Sequence, residues 1–122
     1  VILADSSVWF QHFRSLDEQL LAYIKTGSLR MHAFVMGELA MGGLPRRTAA
    51  LDLLARIKKI PMAKDNEVLA FVDRHALHGL GIGYFDAHLL TAAQLTPGTE
   101  FWTRDRRLNE AAKRLGLALR HH

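Results

Sequence analysis

The first four residues, Val1-Ile2-Leu3-Ala4, form an unbroken apolar run that stops at Asp5 and passes into Ser6-Ser7. Such a run, bounded by polar helix starters, predicts a strand buried on both faces, as in a parallel sheet. Ser6 to Arg14 then reads as a helix with Trp9, Phe10 and Phe13 as its apolar contacts. Leu16, Leu20, Tyr23 and Ile24 share one face of a second helix, with Asp17 and Glu18 in its first turn and Gly27-Ser28 at its end. Leu29-Arg30-Met31-His32 is a short strand, and Ala33 to Met41 a helix stopped by Gly42-Gly43. Leu44-Pro45 opens a long helix expected to reach residue 60, with Ala50, Leu53, Leu54 and Ile57 as its stripe.

Pro61 confines residues 59–63 to a sheet edge. Asp65 or Asn66 is expected to cap the next helix, which turns Val68, Leu69, Val72, Ala76 and Leu77 inward. Gly79, Gly81 and Gly83 lead into a helix over Tyr84 to Leu95. After the turn at residues 96–99, Glu100-Phe101-Trp102-Thr103 forms a strand and residues 104–115 a helix. Residues 117–120 supply a last edge strand.

Short strands separated by helices predict a three-layer α/β/α sandwich around a mainly parallel sheet of about four or five strands. Its middle should lie between the first strand and residues 100–103, so that Asp5 meets Thr103-Arg104-Asp105 at the topological switch point.

Composition narrows the chemistry. The 122 residues contain no cysteine, which excludes disulfides, thiolate metal sites and cysteine nucleophiles and favours a cytoplasmic location. No stretch is long and apolar enough to span a bilayer, and the amino terminus lacks signal-peptide features. Residues 1–120 read as a single domain, and His121 and His122 as the stub of a purification tag. The net charge of +4 and pI near 9.9 favour a polyanionic partner. Much of that charge sits at Arg104, Arg106, Arg107, Lys113 and Arg114.

Four acids stand out against this background. Glu38 is flanked on its helix face by Phe34, Val35, Met41 and Gly42, and Asp86 by Ile82, Gly83, Leu89 and Leu90. A carboxylate on an apolar face needs a cation, a hydrogen-bond partner or a route to solvent. Asp5 and Asp105 each follow a strand and precede a helix, so each is equally well explained as a helix cap. Singly, all four have structural explanations. Together they form an all-oxygen donor set that suits Mg²⁺ or Mn²⁺, and clustered carboxylates need such a cation to stay ionised. Arg104, Arg106 and Arg107 would then hold a phosphodiester backbone. His75 and His78 have metal-pair spacing but no third ligand.

Asp5-Ser6-Ser7-Val8-Trp9, Glu38-Leu39-Ala40-Met41-Gly42, Phe85-Asp86-Ala87-His88-Leu89-Leu90 and Thr103-Arg104-Asp105-Arg106-Arg107-Leu108 resemble, in order, the motifs of PIN-domain ribonucleases. Among these, the resemblance is to the VapC toxin branch of bacterial toxin–antitoxin pairs, and it extends over essentially the whole chain. It implies a PIN-like fold and an endoribonuclease dependent on Mg²⁺ (or Mn²⁺). It assigns Asp5, Glu38, Asp86 and Asp105 to the metal, with Thr103 and Ser7 orienting ligands or the attacking water. It further implies an RNA substrate cut to 5′-phosphate and 3′-hydroxyl ends, inhibition by a VapB-type antitoxin, and a homodimer within a larger toxin–antitoxin assembly. Asn109 either supports Asp105 or faces solvent. The competing readings are a phosphoacceptor receiver-like domain, a phosphatase with an Asp nucleophile (which wants a second Asp where Ser7 stands) and a non-catalytic RNA-binding module.

Overall fold

Strand β1 (Ile2–Ala4) is buried along its length and lies between two parallel neighbours, β2 (Leu29–Arg30) and β3 (Glu100–Trp102). This is a computed structural model, and it describes residues 1–120; the tag reading of His121 and His122 lies outside the described residues. The register pairs Ile2 with Leu29 and Glu100, Leu3 with Arg30 and Phe101, and Ala4 with Trp102. One further ladder bond, from Asp5 N–H to the Trp102 carbonyl at 2.9 Å, leaves Asp5 beside Thr103 just beyond the strand ends.

The sheet is narrower than expected. Residues 59–63 and 117–120 are reduced to single parallel bridges, Met31 to Lys59 and Phe101 to Ala118, flanking three strands in the order β2-β1-β3. On the first of these edges Pro61, which has no N–H to donate, cannot continue a ladder.

Among the described residues seven helices complete an α/β/α sandwich: α1 (Ser6–Arg14), α2 (Glu18–Thr26), α3 (Ala33–Met41), α4 (Arg47–Ala55), α5 (Asp65–His75), α6 (Tyr84–Leu95) and α7 (Arg106–Arg114). Leu3, Trp9, Leu20, Leu39, Leu54, Leu90, Phe101 and Leu108 form the centre of the core, each with at most 1% of its surface exposed. Burial of each such side chain contributes about 1.5–3 kcal/mol before the cost of ordering it.

Several boundaries differ from the sequence pattern for local reasons. The helix expected over residues 44–60 is only α4, because Arg56 and Ile57 close tight bonds to the Leu53 and Leu54 carbonyls. The chain must then extend to bring Lys59 beside Met31. Leu16 precedes α2 and is 61% exposed, since Asp17 caps the helix by accepting from Leu20 N–H. Neither Asp65 nor Asn66 caps α5; Glu67 reaches back to Lys64 N–H at 2.8 Å, and Asp65 becomes the first helical residue. Arg104 lies outside α7, which Asp105 caps. Among the described residues no helix is long and apolar enough to cross a membrane.

Candidate functional site

Asp5 is the hub. Only 5% of its surface is exposed, and both carboxylate oxygens accept hydrogen bonds. Oδ1 accepts from Ser7 Oγ at 2.5 Å and from Val8 N–H at 3.3 Å, which also makes Asp5 the cap of α1. Oδ2 accepts from Thr103 Oγ1 at 2.5 Å. Thr103 Oγ1 in turn accepts from Asp105 N–H at 3.0 Å, and Ser7 Oγ accepts from Arg104 N–H at 2.9 Å. The ends of β1 and β3 and the starts of α1 and α7 are thus tied through two hydroxyls. Asp105 caps α7 by accepting from Leu108 N–H at 3.0 Å. The cap and the site readings of Asp5 are compatible, because each carboxylate oxygen has a second lone pair.

Glu38 and Asp86 approach from the other side, on α3 and α6. Asp86 is half-buried in the first turn of α6 and accepts from Gly83 N–H at 3.2 Å. Glu38 is exposed and reaches solvent from the rim of α3, while Ser6 hydrogen-bonds its carboxylate.

The acids are coupled pairwise, Asp105 to Asp86, Asp86 to Asp5 and to Glu38, and Asp5 to Glu38. Burial pushes the Asp5 carboxyl up from its ordinary value, against the hydrogen bonds from Ser7, Thr103 and Val8, and the Asp86 charge adds to the rise. Partial burial raises Glu38, followed by the charges of Asp86 and Asp5. Asp86 rises by burial and by the charge of Asp105, opposed by the Gly83 N–H. Among the described residues, no three His, Asp or Glu side chains stand in a geometry that could hold a metal ion. The fit is one of chemistry and charge: carboxylate and hydroxyl oxygens suit a hard divalent cation, and like charges close enough to perturb one another are what such a cation relieves.

The arginines divide. Arg104 Nη2 donates to Asp17 Oδ2 at 2.6 Å and its guanidinium lies 5.6 Å from the Trp102 ring centroid, which ties it to the scaffold. Arg106 and Arg107 are exposed and line an open groove with Leu80, Lys113 and Arg114. Arg107 passes so close over Gly81 that a Cβ there would stand 2.5 Å from its Nη1, and Gly81 has φ +78°. That contact sets Arg107 against the segment leading to Asp86.

His75 and His78 do not share a helix, since α5 ends at His75, which packs on Phe71 with ring centroids 4.5 Å apart. The sequence pattern gave no weight to two other histidines. His32 is fully buried, caps α3 by accepting from Phe34 N–H at 3.0 Å, and has its pKa lowered to about 4 by burial and by nearby His88. His88 is buried and meets Asp65 Oδ1 at 3.0 Å, the same oxygen that accepts from Tyr84 OH at 2.8 Å. Their aromatic neighbours were the available signal: His32, Phe34, Tyr84, Phe85 and His88 cluster on two helices that also carry acids.

The chain is similar to known proteins over nearly its whole length. The PIN domain family model matches residues 2–114. Ribonuclease VapC32 of Mycobacterium tuberculosis, in strains CDC 1551 / Oshkosh and ATCC 25618 / H37Rv, is 40% identical over 119 residues, covering 98% of this chain and 96% of the relative. The crystal structure of PAE2754 from Pyrobaculum aerophilum superimposes with a TM-score of 0.64 at 20% identity, covering 97% of this chain and 88% of that one, a likeness of fold.

Proposed function

The chain belongs to the PIN domain family, in its VapC-type ribonuclease branch, and from that premise we propose that it is a divalent-metal-dependent endoribonuclease acting as the toxin of a toxin–antitoxin pair. The observation that carries this reading is the electrostatic coupling of Asp5, Glu38 and Asp86, whose carboxyls are raised by burial and by one another's charges or that of Asp105.

Those four residues would hold Mg²⁺ or Mn²⁺. When bound, such an ion activates water and stabilises charge on the phosphate oxygens. The chain's own residues do the rest. Thr103 and Ser7 fix the Asp5 carboxylate through both oxygens, so the buried ligand does not rotate. Thr103 also receives the Asp105 N–H and thereby sets the start of α7 relative to Asp5. Glu38, exposed on the rim of α3, would accept a proton from an entering water. Arg106 and Arg107, exposed in a groove with Lys113 and Arg114, would offer cations to the RNA backbone. Hydrolysis would break the phosphorus–O3′ bond and leave 5′-phosphate and 3′-hydroxyl ends. With the family match spanning residues 2–114, the receiver-like and phosphatase alternatives have no observation in their favour.

Neutralisation by a VapB-type antitoxin, self-association into a dimer and a cytoplasmic location belong to the same reading. The direct test is RNA cleavage by purified protein with Mg²⁺ or Mn²⁺, repeated with EDTA and with Glu38→Gln. We expect cleavage only in the first case. Cleavage that persists through both changes would overturn the reading.

A further inference from the structure

Beside the acids lies a concavity of about 350 Å³ lined by Ala33, Phe34, Gly37, Glu38, Met41 and Phe85. Apart from the Glu38 carboxylate its wall is carbon. Met41 is 89% and Phe85 56% exposed, so two large apolar side chains meet solvent at one place. Scattered exposed apolar residues need no explanation, whereas a contiguous concave set beside a reactive centre does. The floor is firm: the Phe34 ring touches His32 at 5.2 Å, Phe85 at 4.7 Å and His88 at 4.8 Å between centroids. Phe85 stands next to Asp86 in sequence, and Phe34 lies one helical turn before Glu38.

We propose that this Phe34–Phe85 concavity is a nucleobase subsite, which stacks one unpaired base of the RNA adjacent to the phosphate held at the acids. The inference rests on the ribonuclease reading and adds to it a determinant of substrate choice. Continuity selects the occupant. Glu38 is at once a wall of the concavity and a neighbour of Asp5 and Asp86, so the nucleotide next to a phosphate held at the acids is within reach of the concavity. The flat apolar part of an RNA chain is its bases, and aromatic platforms bind them without reading their edges. The subsite therefore requires single-stranded RNA at that nucleotide and favours strongly stacking bases.

Gly37 supplies a plug. A Cβ added there meets nothing within 4 Å, so a side chain at this lining position starts in open space, and Gly37→Leu is the plug to test. Phe85→Ala removes the wall from the opposite helix. The substrate is the shortest single-stranded oligonucleotide that wild-type protein cuts at one mapped position, prepared intact and with an abasic site on either side of that position. Each variant should lower kcat/KM on intact RNA by roughly 5- to 150-fold, mainly through KM, with the melting temperature retained. With the base removed at the contacted nucleotide, wild type and both variants should converge. Equal losses on intact and abasic RNA, or no loss with either variant, would overturn the proposal. So would conversion of a dimer to a monomer by Phe85→Ala without a base-dependent effect, which would assign the concavity to a second copy of the chain.

A second readout does not depend on cleavage. In EDTA, 2-aminopurine within an oligouridine strand should be quenched by wild type and not by Gly37→Leu. Quenching without any metal-dependent cleavage would retain the subsite and reject the ribonuclease reading. Cleavage with no effect of either variant would do the reverse.

Discussion

Helices α3 and α6 each bring one acid and one histidine to the space between them, and the two pairs have opposite surroundings. Glu38 and Asp86 lie at the edge, open or half-open to solvent, and burial and their neighbours' charges raise their carboxyls. His32 and His88 lie underneath, buried against Phe34. The outer pair is kept where burial and neighbouring charge disfavour ionisation. The inner pair packs and hydrogen-bonds, through His32 to Phe34 N–H and through His88 to Asp65. Two residues of separation on one helix, Asp86 and His88, divide a half-exposed acid from a buried imidazole.

The comparison breaks most sharply at the hub. Asp5→Asn keeps a helix-capping side chain of equal quality, so α1 should remain. Activity should fall to the assay background, because the buried member of the acidic group is gone. Stability without divalent metal should rise, since a carboxyl raised on folding is one whose ionised form the fold disfavours. Activity assays and urea unfolding of the same protein check both halves. A variant that is inactive and also much less stable would mean that Asp5 is structural.

The inner pair makes the converse prediction. Because His32 titrates near 4 when folded and near 6.5 when unfolded, the unfolded chain binds the proton first as pH falls. Stability from this residue is therefore intact above about pH 6.5 and declines toward pH 4, approaching about 1.4 kcal/mol per pH unit mid-window. The raised carboxyls of Asp5, Glu38 and Asp86 act with the opposite sign, keeping protons longer in the fold and adding stability as pH falls. His32→Asn retains a cap acceptor but removes the buried ring. It should cost about 2–4 kcal/mol at pH 7, the cavity term for a ring of this size, and remove the His32 contribution to the pH slope. An unchanged slope in that variant would sink the assignment.

This boundary also explains what the sequence could and could not disclose. The strand Val1–Ala4, the helices starting at Ser6 and Tyr84 and the acids at 5, 38, 86 and 105 follow from periodicity and from charges placed against it. The meeting of Asp5 with Thr103, 98 residues away, follows from the expected switch point, whereas the register pairing Ala4 with Trp102 and the hydrogen bond itself come only from the folded sheet. The length of α4 was misread because its apolar stripe continues through Ile57 while the chain turns away to bridge Met31. The histidines were undervalued because imidazole is read as neither core nor ligand until its neighbours are known. Asp65 looked like a cap and is a partner for Tyr84 and His88.

The smallest effect separates the two sides of the acidic group itself. On the strand side, Thr103 is buried and its hydroxyl donates to Asp5 while accepting from Asp105 N–H. Thr103→Val keeps the shape and strips both bonds, at a cost of about 1–3 kcal/mol in stability and about 10- to 100-fold in activity. On the helix side, half-buried Ser6 gives Glu38 one hydrogen bond beside solvent, where water replaces a lost donor. Ser6→Ala should change stability by no more than about 0.5 kcal/mol. Its mark is instead on titration: the Ser6 bond holds the Glu38 carboxyl down, so its loss should move the acidic limb of the pH–rate profile to higher pH. If Ser6→Ala damages stability as much as Thr103→Val, the helix side is as tightly built as the strand side, and the division drawn between them does not hold.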